Sequence, residues 1–521
     1  MVVKHIVAHS NAVWGAYKPF AALAVRILQS RTNVHFTVLI QGGMLYTKFM
    51  RELAKIPLDQ LKKMRPYLHV IDLTGKETSL DEDLSEELFV AFDALHNSRA
   101  VTCKSTGTTI QGLVPPSVAI LDLFSNTQVD IVRSIAGSSC AIFSWMTFPA
   151  GAALYRYGPK KYGGRDDMYV EVDDEVRRTR KVEAEVANRV RQDSRRGRDP
   201  LCGDFITGKV VNIPGISPMY DYEWSPQELE SEDFSFYITA QRNMRKIDGT
   251  ICGSSSVYEP EAMAACKEWA TSIGQAWYAI GPLSLPDSFP STQAHDDKER
   301  SVLSFLNKMQ CEFGDRSVLF ISFGTLYWPT RPEKLWGIID ELLSARKPFI
   351  FACTSPLAHI PKEKEKIISE SGISMMMSWL PQEKVLSHPA TGWFVTHGGW
   401  NSTQEALIHR VPVIYWPFGF DQPYNTIRTC QLNAGFELVE VRTGKLGTRV
   451  PYRFKDGPYF PSFTVSAARE EFRMLLQRIE GEEGRVVRAN FERLGKMVDE
   501  TLNDGQEGKE NLEAFLRRFV D

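Results

Sequence analysis

Twice along this chain, short runs of β-branched and aromatic residues alternate with helix-length stretches, and a segment rich in Pro, Ser and Asp separates the two series. The first series holds HIVAHS (5–10), VHFTVLIQ (34–41), SVAILDLF (117–124) and SCAIFSW (139–145). The second holds SVLFISFG (317–324), PFIFAC (348–353), ISMMMSW (373–379), GWFVTHGG (392–399), PVIYWPF (412–418) and FELVEV (436–441). Such runs are apolar almost throughout, as strands covered on both faces must be. Alternation with helices predicts parallel sheets built from βα units, hence an α/β fold. The break at IGPLSLPDSFPSTQAHDDKER reads as a linker. The expected layout is a first domain over 1–283, a linker over 284–298, a second domain over 299–465 and closing helices over 466–521. A length of 521 residues is too great for one compact core, which agrees with two domains.

Composition excludes several classes. A chain that is 43% hydrophobic and 24% charged is globular, not disordered, and a net charge of −3 offers no attraction to nucleic acid or an anionic membrane. The eight cysteines are scattered without a CxxC pair, the pattern of reduced thiols in a cytoplasmic protein. The amino terminus lacks a basic start followed by a long apolar core, and no run approaches the roughly 18 apolar residues of a membrane span. Between 155 and 200 both charges crowd together, with Val176, Val182, Val186 and Val190 on one helical face. This stretch is read as a surface helix, placed as a lid over a pocket; interspersed acids argue against a nucleic-acid arm.

The richest chemistry lies between Trp379 and Gln422, in WLPQEKVLSHPATGWFVTHGGWNSTQEALIHRVPVIYWPFGFDQ. Trp379 follows an apolar run, where open α/β sheets place ligands, and an indole there can stack on a flat base. Alone it would more readily be a core residue, a reading that the surrounding spacing reverses. Gly398 and Gly399 open a helix whose N-terminus can receive a phosphate, with Asn401 or Ser402 expected to cap it. Glu405 lies one turn further on and can accept from a vicinal diol.

This pattern resembles the donor-binding signature of the UDP-glycosyltransferases, the plant- and fungal-type enzymes that glycosylate small hydrophobic acceptors. The resemblance implies the GT-B architecture, two Rossmann-like domains facing across a cleft, with the last helix crossing back to the first domain. It implies that Trp379 stacks on uracil and the Leu380 backbone reads its edge, while Gln382 and Glu405 hold the ribose. His397, Gly399, Asn401 and Ser402 would meet the pyrophosphate, aided by Gly324 and Thr325 after the strand FIS. Trp400, Asp421 and Gln422 would bond the sugar hydroxyls, and a terminal Gln leans toward glucose. No metal or other cofactor is expected, since UDP-sugar is a co-substrate and the helix end and His397 take the leaving-group charge. Gly398 stands where many relatives have Cys, and Arg410 replaces a Gly expected near the helix end, so a different cap is expected there.

The family's general base is a His in a Gly-His-x-x-Pro turn after the first strand, oriented by an Asp. Here the turn reads Gly15-Ala16-Tyr17-Lys18-Pro19, with Ala16 in the histidine's place. Asp122 matches the orienting acid, or else is a strand-end Asp capping a loop. Alanine accepts no proton, and loss of a general base typically costs about 10²–10⁴ in rate. Three explanations stand: a His-to-Ala substitution in an otherwise active enzyme, an enzyme for acidic phenols or one using His9 or Asp122 through water, or a UDP-sugar-binding pseudoenzyme. Phe124, Met146 and Phe148 are candidate pocket residues. A metal-dependent transferase with Asp81-Glu82-Asp83 as its Asp-x-Asp is the weaker reading, because that triplet sits in an acidic helix start.

Overall fold

A computed structural model describes residues 3–78, 82–125, 127–165, 206–229, 235–285 and 297–521. The charged stretch over 166–205, most of the expected linker and Asp81 lie outside the described residues. The chain forms two compact units: Met1–Lys181 with Ser235–Phe289 and Glu500–Asp521, and Val182–Phe234 with Pro290–Asp499.

The strands, in chain order, are β1 (Lys4–His9), β2 (Val34–Ile40), β3 (Leu68–Asp72), β4 (Val101–Thr102), β5 (Thr109–Ile110), β6 (Val118–Leu121), β7 (Ala141–Met146), β8 (Val210–Val211) and β9 (Met219–Tyr220). There follow β10 (Gly249–Cys252), β11 (Ala276–Ala279), β12 (Val318–Ser322), β13 (Phe349–Ala352), β14 (Ser374–Met377), β15 (Thr391–Thr396), β16 (Val413–Tyr415) and β17 (Gly435–Glu437). The first unit has a seven-stranded parallel sheet ordered β11-β10-β7-β6-β1-β2-β3. The second has a six-stranded parallel sheet ordered β14-β13-β12-β15-β16-β17. Each sheet starts in its middle and winds outward both ways, the doubly wound Rossmann arrangement. The α/β class and the two Rossmann-like domains of the GT-B fold are thus seen strand by strand.

This order fixes where ligands go. Strand order reverses between β1 and β6 in one sheet and between β12 and β15 in the other, and a crevice opens at the carboxyl ends beside each reversal. The residues directly after those strands are Ser10 and Asp122 in the first unit, and Phe323 and His397 in the second.

Both sheets are covered on two faces. In the first unit Phe20 stacks on Trp145 with centroids 4.3 Å apart, and Phe143 takes Phe515 and Phe519 of the helix Glu507–Phe519 edge-on at 5.1 and 4.7 Å. Arg31 bonds Glu513 and Asp521 at 3.0 and 2.8 Å, so the segment 507–521 is welded to this unit by rings and ions. In the second unit the helices Pro332–Ser344 and Val465–Glu480 pack on the sheet through Leu335, Ile339, Phe472 and Leu476, all buried. Burial of each such side chain contributes about 1.5–3 kcal/mol. Among the described residues no helix is long and apolar enough to cross a membrane.

Candidate functional site

At the switch point of the second sheet, His397 directly follows β15 and its imidazole is buried. Gly324, in the left-handed region at φ 72° after β12, and Gly399 flank the ring. A Cβ at Gly324 would stand 2.9 Å from His397 Cε1, and one at Gly399 would stand 2.6 Å from Nε2. The two glycines are therefore required by the imidazole as well as by any ligand that comes close. Gly398 also has a positive φ, 84°, and a Cβ there would meet the Tyr415 ring at 2.7 Å, so a Cys at this position would be strained in this chain.

The Ser322 carbonyl accepts from the His397 ring, and burial lowers its pKa to about 4. The ring is neutral at pH 7. Having given its one N–H to that carbonyl, it carries a lone pair on the other nitrogen. While it keeps that bond, it can donate to a phosphate oxygen only after taking up a proton.

The helix Trp400–His409 begins at Gly399, with no side-chain cap. The expectation that Asn401 or Ser402 caps it is corrected: both lie inside the first turn. Asp421 supplies the partner, its Oδ2 accepting from the Trp400 amide at 2.9 Å and from Asn425 Nδ2 at 2.9 Å. Asn425 also donates to the Gly398 carbonyl at 2.8 Å, tying the glycine turn to the helix Gln422–Gln431. Asn425 escaped the sequence reading, although its position one turn beyond Asp421 on that helix was a readable signal. The first i→i−4 bond is from Thr403 to Gly399, at 3.0 Å, so the amides of Asn401 and Ser402 precede the ladder at the positive end of the helix.

Three of the predicted residues join directly. Gln382 Nε2 donates to Glu405 Oε2 at 2.6 Å and to Ser402 Oγ at 3.3 Å. Trp379 lies two residues beyond the edge strand β14 and is 37% exposed, so the core reading does not hold for it. Leu380 is buried and Thr325 is exposed. Trp400 has a buried indole, and with its amide engaged by Asp421 it has less to offer a sugar than the sequence suggested. Gln422 Oε1 accepts from the amides of Phe418 and Gly419 at 2.7 and 3.2 Å, which fixes the orientation of its buried amide.

Arg410 is the C-cap in left-handed conformation at φ 59°, the geometry that usually selects Gly. Its guanidinium folds back onto the carbonyls of Leu407 and Ile408 and pairs with Asp499. The expected different cap is Arg410 itself.

At the corresponding edge of the first unit the polar side chains are engaged within the chain. The segment Gly15–Pro19 is not a turn. Helix Trp14–Ser30 starts ahead of it, because Val13 is extended and its carbonyl accepts from the amides of Ala16 and Tyr17 at 3.0 and 3.3 Å. Ala16 lies in the first helical turn, buried, and its carbonyl accepts from Trp145 Nε1 at 2.8 Å. Asp122 follows β6 and accepts from Ser10 Oγ at 2.8 Å and from the Phe124 amide at 2.8 Å, with a further bond from the Asn11 amide. Burial pushes its pKa up despite these donors. His9 donates from Nδ1 to the Leu39 carbonyl at 2.8 Å, and its Nε2 therefore accepts from Gln41 Nε2 at 3.1 Å. Both ring nitrogens are used, and burial lowers its pKa to about 4. Phe124 is half-buried against buried Phe148, with centroids 6.0 Å apart, while Met146 is fully buried at the end of β7. Asp83 is occupied as an acceptor from the Ser85 amide at 3.0 Å, at the start of helix Ser85–His96. Among the described residues no group of three or more His, Cys, Asp or Glu is placed to hold a metal.

Comparison with known proteins gives a consistent picture. A family model described as UDP-glucoronosyl and UDP-glucosyl transferase matches residues 292–446. The UDP-glycosyltransferase eriJ of Hericium erinaceus is 27% identical over 91% of this chain and 90% of its own length. The UDP-glycosyltransferase 76E5 of Arabidopsis thaliana is 33% identical, over 36% of this chain and only 39% of its own length. Among solved structures, that of Phytolacca americana UGT2 complexed with UDP-2fluoro-glucose and pterostilbene superposes with a TM-score of 0.65 at 18% identity, covering 100% of both chains.

Proposed function

Because this chain belongs to the UDP-glycosyltransferase family, we propose that it transfers a sugar from a UDP-sugar, with UDP-glucose the favoured donor, to an oxygen of a small hydrophobic phenol or alcohol, inverting the anomeric centre. The observation that carries this reading is the His397 imidazole held between Gly324 and Gly399 at the switch point of the second sheet. A residue type that can meet a phosphate, a backbone cleared of side chains and a helix N-terminus converge there. In this reading the exposed Trp379 indole stacks on uracil over the Leu380 backbone. The bonded pair Gln382–Glu405 presents its remaining polar atoms to the ribose. Asn401 and Ser402, with Gly399 and Thr325, line the pyrophosphate, and Gln422 reaches the sugar with its amide nitrogen. Asp421 acts by holding Trp400 and Asn425 in place as well as by any contact of its own. The seven described cysteines are all unpaired, which suits a reducing, cytoplasmic setting.

Calorimetric titration with UDP tests the donor site, and UDP release against a panel of phenols and alcohols tests the transfer. Binding lost in His397→Ala and weakened in Trp379→Ala supports the reading; absence of any UDP uptake by the intact protein overturns it. Ala16 favours a second reading, a UDP-sugar-binding protein without turnover. That reading predicts donor binding with no product, even in Ala16→His.

A further inference from the structure

The reaction class proposed above leaves open who takes the acceptor's proton. Ligands in an open α/β sheet meet the carboxyl ends of its strands, and the ionisable residues that end or directly follow strands of the first sheet can be taken in turn. His9, ending β1, has Nδ1 on the Leu39 carbonyl and Nε2 on Gln41. Asp72, ending β3, is fully buried and accepts from the amides of Gly42, Thr74 and Gly75 at 3.1, 3.1 and 3.0 Å and from the Ser105 hydroxyl. Asp122, following β6, is held by Ser10, Phe124 and Asn11. Cys252, ending β10, is fully buried, and burial holds its thiol protonated. Tyr17, beside Ala16, gives its hydroxyl to the Ser10 carbonyl at 2.6 Å. Each group is committed to holding the chain, and Ala16 stands where a base would be.

We propose that this edge takes an acceptor whose attacking oxygen is already anionic near neutral pH, a carboxylic acid or an acidic phenol, and that none of the described groups at these strand ends removes its proton. This rests on the reading of the chain as a UDP-sugar transferase. The chemistry balances without a base. A lone pair on the carboxylate or phenolate oxygen forms the bond to the anomeric carbon. The bond from that carbon to the β-phosphate oxygen breaks, its electron pair leaves with UDP, and one negative charge passes from acceptor to UDP. An alcohol would have to lose a proton in the same step, and among the described residues at these strand ends none is poised to accept it.

The test measures UDP release by the intact protein at saturating UDP-glucose, so that pH-dependent donor binding does not enter, with acceptors of similar shape: substituted phenols spanning acidic to weakly acidic, matched carboxylic acids and matched alcohols, each as a function of pH. The expected result is that the pH midpoint of kcat/KM moves with the acceptor's own pKa. Alcohols should be slower than ionised acceptors by about 10² or more, the lower end of what a missing base costs. In Ala16→His the alcohols should gain selectively, and a midpoint belonging to the protein should appear. A midpoint shared by all acceptors in the unaltered protein, or alcohols as fast as acidic phenols, overturns the proposal. UDP binding without turnover of any ionised acceptor also overturns it while sparing the donor reading; failure to bind UDP removes both.

Discussion

Ser10 and Asp122, 112 residues apart in the chain, meet across the centre of the first sheet with the serine hydroxyl 2.8 Å from Oδ2. They are brought together by register: His9 of β1 pairs with Leu121 of β6, so the next residue on each strand faces the other. Where the family resemblance leads one to expect an imidazole beside the carboxylate, this chain supplies a hydroxyl.

Removal of that hydroxyl should be felt as stability. Ser10→Ala takes one donor from a buried carboxylate whose pKa burial already raises, so about 1–3 kcal/mol should be lost at pH 7. The sign of the pH dependence follows. A carboxyl with a folded pKa above its unfolded value contributes most when protonated, and that contribution fades as pH rises through the folded value. Loss of the donor raises the folded value further, so the penalty of Ser10→Ala should shrink as pH falls toward 4. Urea unfolding at pH 7 and at pH 4.5 reads both; an equal loss at the two values contradicts the assignment.

Gly399→Ala isolates sterics from backbone strain, because Gly399 has an ordinary φ of −60°. The new Cβ would lie 2.6 Å from His397 Nε2, so the ring must move. Overpacking of this kind costs about 1–3 kcal/mol, which for a displaced ligand group is a loss of roughly tenfold or more in UDP affinity. In the His397→Ala background the same substitution has room. Its effect on Tm should largely vanish there, a non-additivity that a double-mutant cycle measures.

Much of this was legible in the chain because the signals are local. Continuous apolar runs mark strands buried on both faces: the second sheet appears where those runs fall, as do β1, β2, β6 and β7 of the first, while β3, β10 and β11 were not read. The Trp379–Gln422 segment was legible for the same reason: Gln382, Ser402 and Glu405 do meet. Partners set by sheet order were hidden. Asn401 or Ser402 could be expected to cap the helix from within the segment, but β16 adjoins β15 and Asp421, 21 residues from Trp400, takes the Trp400 amide instead. Saturation of His9 by Leu39 and Gln41 depends likewise on β2 lying beside β1. The start of the helix at Trp14 was obscured by Pro19, a residue that reads as a helix boundary, because Val13 caps a helix whose first residue, Trp14, already precedes the ring.

Arg410 makes a prediction about capping. Arg410→Ala keeps the left-handed strain and loses the guanidinium on two carbonyls and on Asp499, so about 1–2 kcal/mol should be lost. Arg410→Gly loses the same bonds but relieves the strain, and should recover about 0.5–1 kcal/mol relative to Ala. Thermal unfolding of the pair decides it. Gly as destabilising as Ala would mean that the φ of 59° carries no cost here.

The most telling pH dependence belongs to His397. With its pKa near 4 in the unliganded protein and one nitrogen already donating to the Ser322 carbonyl, the neutral ring would meet a phosphate lone pair to lone pair. A bound pyrophosphate favours the protonated ring and raises its pKa. Between the free value and the bound value, each UDP that binds takes up close to one proton, so affinity falls by up to about tenfold per pH unit as pH rises. Above the bound value uptake ceases and the curve flattens. Calorimetry at pH 7 in two buffers of different ionisation enthalpy reads the uptake directly, and His397→Asn should bind more weakly with no proton linkage from this position. Equal heats in the two buffers, or unchanged linkage in His397→Asn, would mean that the ring binds neutral, with the Ser322 bond exchanged for one to the phosphate.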